Sequence, residues 1–239
     1  MSPNRLRVLA ALLAAGAACT NARAQADCQA PRPTLLVERY ISAECEICWQ
    51  SAPPLPSGAA GRGLPFALDW IVPSARGEAA PLSVAATPEA AVRVARAGAL
   101  RSDEALTVTT PLASRSELRV VVRDGPAWNG YIGLQLDASY ASTRPLPAGL
   151  AGWLALIERI PAGSEGTPVE RRLVRSLVGP LSLGTLASER QVRHLRAVRV
   201  PENAKPERLS VVGWLETPAG RVLAVADRHD PDCDDAPAR

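Results

Sequence analysis

The chain has 239 residues, enough to bury a core whose stability does not depend on disulfides. Of its 27 basic and 24 acidic side chains, Arg5, Arg7 and Arg23 supply the whole formal net charge of +3, so the remainder offers no basic patch for nucleic acid. The single methionine is Met1, which leaves no thioether to help hold a soft metal ion.

The first element in chain order is a leader. Arg5 and Arg7 precede an unbroken apolar run over 8–18, and Ala22-Arg23-Ala24 and Ala24-Gln25-Ala26 are small-x-small cleavage sites. Residues 1–24 therefore read as a signal peptide, and the mature protein is expected to be periplasmic or secreted. An apolar run this short, rising about 1.5 Å per residue, cannot cross a hydrocarbon core about 30 Å thick, and no later segment is a transmembrane candidate. Cys19 at the end of the run raises a lipoprotein reading, which takes second place because Gly16 stands where such sites carry a leucine-like residue.

Residues 27–112 read as a small α/β domain. Thr34 to Ile41 is an apolar strand running into Cys45-Glu46-Ile47-Cys48, and Pro53, Pro54 and Pro56 limit a helix begun at Cys45 to about two turns. Ala67 to Val72 is a second buried strand, ended by Pro73. Thr87 then acts as N-cap and Pro88 as first helical residue, and apolar Ala91, Val92, Val94 and Ala95 carry a helix to Gly98.

Residues 115–230 alternate in twos. Leu118, Val120 and Val122 share one strand face, as do Ile132, Leu134 and Leu136. Trp153 to Ile160 and His194 to Val200 add strands, 169–178 is ambiguous, and Leu209 to Glu216 with Arg221 to Ala226 flank the turn Thr217-Pro218-Ala219-Gly220. This region reads as a β-sandwich-like module, followed by an acidic tail over 231–239. His229 and Cys233 lack the further ligands a zinc or calcium site needs, so neither metal nor cofactor is expected.

Without the leader, Cys28, Cys45, Cys48 and Cys233 remain, an even number in an oxidising compartment. Position pairs Cys28 with Cys233 as a structural disulfide joining the chain ends, and Cys45 with Cys48 as the candidate catalytic pair. A strand leading into Cys-x-x-Cys is the setting of a thiol redox site. A helix N-terminus favours thiolate, and the spacing lets the second sulfur resolve a mixed disulfide. By its place in the pair Cys45 takes the attacking, more exposed role, with Glu44 and Glu46 acting against its thiolate. The expected function is thiol–disulfide exchange with a protein redox partner, by a monomer. The alternative is a non-catalytic binding protein in which Cys45–Cys48 is a structural bond. Trp128, on the loop from Gly125 to Gly130, is the tryptophan best placed to touch a partner.

The stretch from Val37 to Cys48, Leu68-Asp69-Trp70, residues 169–179 and the closing run from Gly220 to Ala226 resemble the secreted thioredoxin-like proteins of Gram-negative bacteria catalogued as a domain of unknown function. The resemblance covers most of the mature chain. It implies an α/β plus β fold, with a thioredoxin-like N-terminal domain over 27–112 and a β-sandwich-like C-terminal domain over 115–230. It also implies a cis-proline facing the sulfurs, for which Thr110-Pro111 makes Pro111 the candidate. The chain departs from the family in placing Trp49, rather than proline, directly after Cys48.

Overall fold

A computed structural model describes residues 33–51 and 65–227. The leader, Cys19, Cys28, Cys233, the acidic tail and Pro53, Pro54 and Pro56 lie outside the described residues.

Apolar content decides which strands are central. Strands β1 (Leu35–Ser42) and β2 (Pro65–Val72) are buried at almost every position, as strands are when paired on both sides and covered on both faces. They run parallel, Leu35 beside Pro65 through Ser42 beside Val72. Helix α1 (Glu46–Trp49) lies between them in sequence, and α2 (Pro88–Ala97) leads to β3 (Ala105–Pro111), which returns antiparallel along the free side of β1. Thr87 caps α2 as expected, its hydroxyl accepting the Ala90 N–H at 3.3 Å, and the helix ends at Gly98.

The later strands are β4 (Leu118–Asp124), β5 (Tyr131–Tyr140), β6 (Ala151–Ile160), β7 (Arg171–Ser182), β8 (Gln191–Arg199), β9 (Leu209–Glu216) and β10 (Val222–Asp227). One sheet has seven strands in the order β10-β9-β6-β7-β2-β1-β3, and a second has three, β4-β5-β8. The expected fold class is corrected by this order. Strands from both halves of the chain share a single mixed sheet, joined where Asp69 of β2 pairs with Leu173 of β7. The protein is sheet-dominated, not an α/β thioredoxin-like domain followed by a separate β-sandwich. Alternation along a strand shows which face is buried, and it is silent on which strand lies alongside.

The large sheet is covered on both faces. Leu154, Leu156, Val211 and Leu215 pack on Val122, Leu134 and Leu136 of the small sheet. Gly213 permits that approach, since a Cβ there would stand 2.5 Å from Val122 Cγ1. On the other face Ala155, Ile157, Val212 and Trp214 join Leu36, Tyr40 and Trp70 under Ala90 and Val94 of α2. A smaller core of Ile41, Ala43, Cys45, Trp49, Ile71, Ile160 and Leu173 fastens α1. No described helix is long and apolar enough to cross a membrane.

Candidate functional site

The end of β1 delivers the cysteine pair. Ala43 N–H donates to the Val72 carbonyl and Cys45 N–H to the Ser42 carbonyl, both at 2.9 Å, so the chain leaves the sheet in a fixed direction. Cys45 and Cys48 are joined as a disulfide, with Cα atoms 5.3 Å apart. Position in the pair assigns the exposed role to Cys45, and the structure reverses it. Cys45 is 3% exposed and belongs to the core under α1, whereas Cys48 is half-buried.

The sulfurs also meet an oxygen where N–H groups are expected. The Asp103 carbonyl oxygen lies 3.3 Å from Cys45 Sγ and 3.8 Å from Cys48 Sγ. Cys48 and Trp49 donate their N–H groups to the Cys45 carbonyl, at 3.1 and 3.3 Å, and Glu46 donates to the Glu44 carbonyl at 3.2 Å. An oxygen beside sulfur favours a protonated thiol over a thiolate.

Asp103 holds this place because the strand after it, β3, pairs with β1. The same pairing removes Pro111 from the site. Pro111 is opposite Leu35, at the far end of an eight-residue strand from the cysteines, roughly 23 Å away at about 3.3 Å per residue. The cis peptide among the described residues is Gly179–Pro180, in β7.

Beneath α1 lies a buried charge group that sequence reasoning missed. Asp69, fully buried, accepts from Arg39 Nη2 at 2.7 Å, Arg171 Nη1 at 3.1 Å and the Arg172 backbone N–H at 3.0 Å. Arg39 Nε is 2.7 Å from Asp69 Oδ1 but off the line of a hydrogen bond. Arg171, equally buried, donates to the Trp49 carbonyl at 2.8 Å, the Ser51 carbonyl at 2.7 Å and Thr167 Oγ1 at 2.9 Å. Its guanidinium lies 5.1 Å from the Trp49 ring centroid. Burial pulls the Arg171 pKa below its ordinary value, with Asp69 opposing and Arg39 assisting. Arg171 thereby satisfies carbonyls left open at the end of the one-turn helix α1. The available signal was Asp69 itself, since a charge in the middle of an apolar strand must find a partner inside.

Trp49 is clasped from the other side. Its indole N–H donates to the Glu165 carbonyl at 2.7 Å, in the β6–β7 connection. The Lys205 ammonium, hydrogen-bonded at 2.7 Å, holds the Glu165 carboxyl below the usual glutamate range against the cost of burial, and Arg208 at 2.6 Å helps. A depressed folded-state value stabilises the fold above the unfolded value and is lost as pH falls through the folded one. Acidification below about pH 4.3 is therefore expected to loosen this connection and change Trp49 emission. Glu165→Gln should abolish that transition; a variant that keeps it assigns the change elsewhere.

A second buried charge group occupies the opposite face of β1. Arg93 of α2 is bonded to Glu38 and Glu216, and burial followed by the Glu38 charge keeps the Tyr40 phenol protonated.

No family model matches the chain, and no curated protein does. Among solved structures it is similar to HBP35 of Porphyromonas gingivalis, with a TM-score of 0.50 and 7% identity, over 82% of this chain and 75% of that one. At that identity the likeness concerns the fold alone.

Proposed function

We propose that the protein carries out thiol–disulfide exchange through Cys45 and Cys48 with a protein partner, in the periplasm or outside the cell after loss of the leader. The observation that carries this reading is a disulfide whose Cys48 sulfur is reachable and whose bond holds little else in place. Trp49 and Ser51 are anchored by Arg171, and Trp49 by Glu165 as well. Closing so small a loop stabilises by only about 2 kcal/mol on the chain-entropy model.

In the exchange step a partner thiolate attacks Cys48 Sγ, the Cys45–Cys48 bond breaks, and Cys45 leaves as a thiolate that takes a proton from solvent. A second partner thiol attacks the partner sulfur of the mixed disulfide and releases Cys48. Two electrons have then passed from the partner dithiol to the pair.

A second reading is a structural disulfide in a binding protein. The Asp103 oxygen and the flanking Glu44 and Glu46 favour it, because they oppose both thiolates. Equilibration with a glutathione buffer separates the two. A potential above about −300 mV supports exchange, and one below that value leaves only the structural bond. Among single-cysteine variants, Cys45→Ser is expected to react with glutathione disulfide about tenfold faster than Cys48→Ser, since it keeps the accessible sulfur. Equal or reversed rates would remove Cys48 as the attacked atom.

A further inference from the structure

The bond that a partner thiolate must reach stands among carboxylates. Glu44 and Glu46 flank Cys45 in the chain. From the segment before β3 the Asp103 carbonyl approaches both sulfurs, and the Glu104 carbonyl accepts the Ser42 N–H at 3.3 Å. The pairing of β3 with β1 thus adds Asp103 and Glu104 to the two acids that the Cys-x-x-Cys segment carries itself.

Few cations answer them. Arg101 Nε is shared between Asp103 at 3.5 Å and Glu104 at 3.4 Å, with all three side chains half or more exposed, and pairs of this kind hold little energy. Glu46 accepts from Gln50 Nε2 at 3.1 Å, a neutral donor that leaves its charge in place. Among the described residues Glu44 has no ionic partner. The loop over 74–86, whose Leu82 N–H donates to the Ala43 carbonyl at 3.0 Å, brings one side chain of each sign, Arg76 and Glu78. The surplus guanidinium beneath α1 acts instead on the carbonyls of Trp49 and Ser51, at the other end of the helix. Four carboxylates and one arginine therefore stand where the partner arrives.

Two further features face the same approach. Ile47, between the cysteines, is 77% exposed, and an apolar side chain held in water beside Cys48 suits a protein segment more than a small thiol. The Asp103 carbonyl oxygen has the two sulfurs as neighbours, and sulfurs joined to each other carry no proton to give it. Among the described residues no other group donates to it, so a donor brought by a partner finds an open acceptor beside the bond.

Attack on Cys48 needs a thiolate, and carboxylates near its path repel it. Lysine or arginine next to the partner cysteine changes both conditions. It lowers the partner thiol's pKa, so that more thiolate is present, and it meets the carboxylates with opposite charge. We propose that the partner whose dithiol reduces the Cys45–Cys48 bond presents its cysteine within a basic segment, with lysine or arginine facing Glu44, Glu46, Asp103 and Glu104 and an N–H donated to the Asp103 carbonyl. This rests on the exchange reading of the pair and specifies the chemistry of its partner. An acidic segment is turned away by the same charges.

Reduction of the oxidised full chain by two synthetic thiols, acetyl-Lys-Cys-Lys-amide and acetyl-Glu-Cys-Glu-amide, tests the proposal, with the state of Cys45 and Cys48 followed by acid quench, alkylation and peptide mass. Each rate is divided by the same peptide's rate with hydroxyethyl disulfide, a neutral bond, which cancels the peptide's own thiolate content. On that scale the basic peptide is expected to be about tenfold faster at low ionic strength, with the margin closing at about 0.5 M salt. Glu44→Gln combined with Glu46→Gln should cut the margin severalfold, and the salt effect on the wild type carries the test if this double variant fails to fold. Equal rates, a faster acidic peptide, a margin indifferent to salt, or a folded double variant that keeps the full margin would remove the basic partner while leaving exchange standing. If neither peptide opens the Cys45–Cys48 bond although both open hydroxyethyl disulfide, the exchange reading itself fails and the basic partner with it.

Discussion

Replacing Asp69 by alanine is expected to lower stability by about 3–5 kcal/mol at neutral pH, measured by urea unfolding. The carboxylate accepts from two guanidinium groups and a backbone N–H in a site from which water is excluded. Without it Arg39 and Arg171 face each other with no counter-charge, and both are too buried to recover hydration. Asp69→Asn should cost less, because an amide oxygen can still accept from the Arg172 N–H. The damage has a direction as well as a size. Arg171 fastens the carbonyls of Trp49 and Ser51, so the segment that carries Cys48 loses its anchor first, and Cys48 should become more reactive in the reduced variant than in the reduced wild type. A loss below about 1 kcal/mol, the range of exposed ion pairs, would contradict this account of the group.

Arg93→Met is expected to cost a similar amount, about 3–5 kcal/mol, for the opposite reason. The substitution keeps most of the volume, strips Glu38 of its guanidinium and leaves Glu216 with only the Trp214 indole N–H at 2.8 Å and the more distant, exposed Arg96 at 3.9 Å. In the native protein Arg93 Nη2 bonds Glu38 at 3.2 Å and Glu216 at 3.0 Å, and the guanidinium lies 4.9 Å from the Trp214 ring centroid, 5.8 Å from that of Trp70 and 6.0 Å from that of Trp153. Burial opposes its charge, but Glu38 and then Glu216 more than compensate and hold it above the usual arginine value. Acid neutralises the stranded carboxylates, so the deficit of the variant against wild type should shrink as pH is lowered from neutral. A deficit that stays constant with pH would mean that Arg93 acts by packing on the three indoles.

Much of the local structure was legible in the residues. The Thr87 cap, Pro88 and Gly98 bound α2, and the alternation in β4 and β5 matches the faces that are buried. Strand β3 was missed. Its sequence Ala-Leu-Thr-Val-Thr-Thr-Pro is β-branched, but it lies at a sheet edge, where half-exposed and exposed positions alternate and no fully buried row marks it. That omission mattered for the site, since β3 brings Asp103 to the sulfurs and carries Pro111 away from them.

The cysteine pair was legible, and its geometry was not. Cys-x-x-Cys after a strand is a contiguous pattern, readable from neighbours in the chain. Which sulfur faces water depends on Ile71, Ile160 and Leu173 closing over Cys45, residues contributed by three other strands. The sequence by itself determined most of the strands, one capped helix, the turn at Thr217 to Gly220 and the candidate pair, because caps, turns and alternation are properties of adjacent residues. Only the tertiary structure decided that one sheet runs through both halves, that Cys45 is more deeply buried than Cys48, and that Arg171 takes up the open carbonyls after α1. Each of those depends on a long-range pairing, Asp69 with Leu173 or Arg171 with Trp49, whose partners carry no sequence mark of each other.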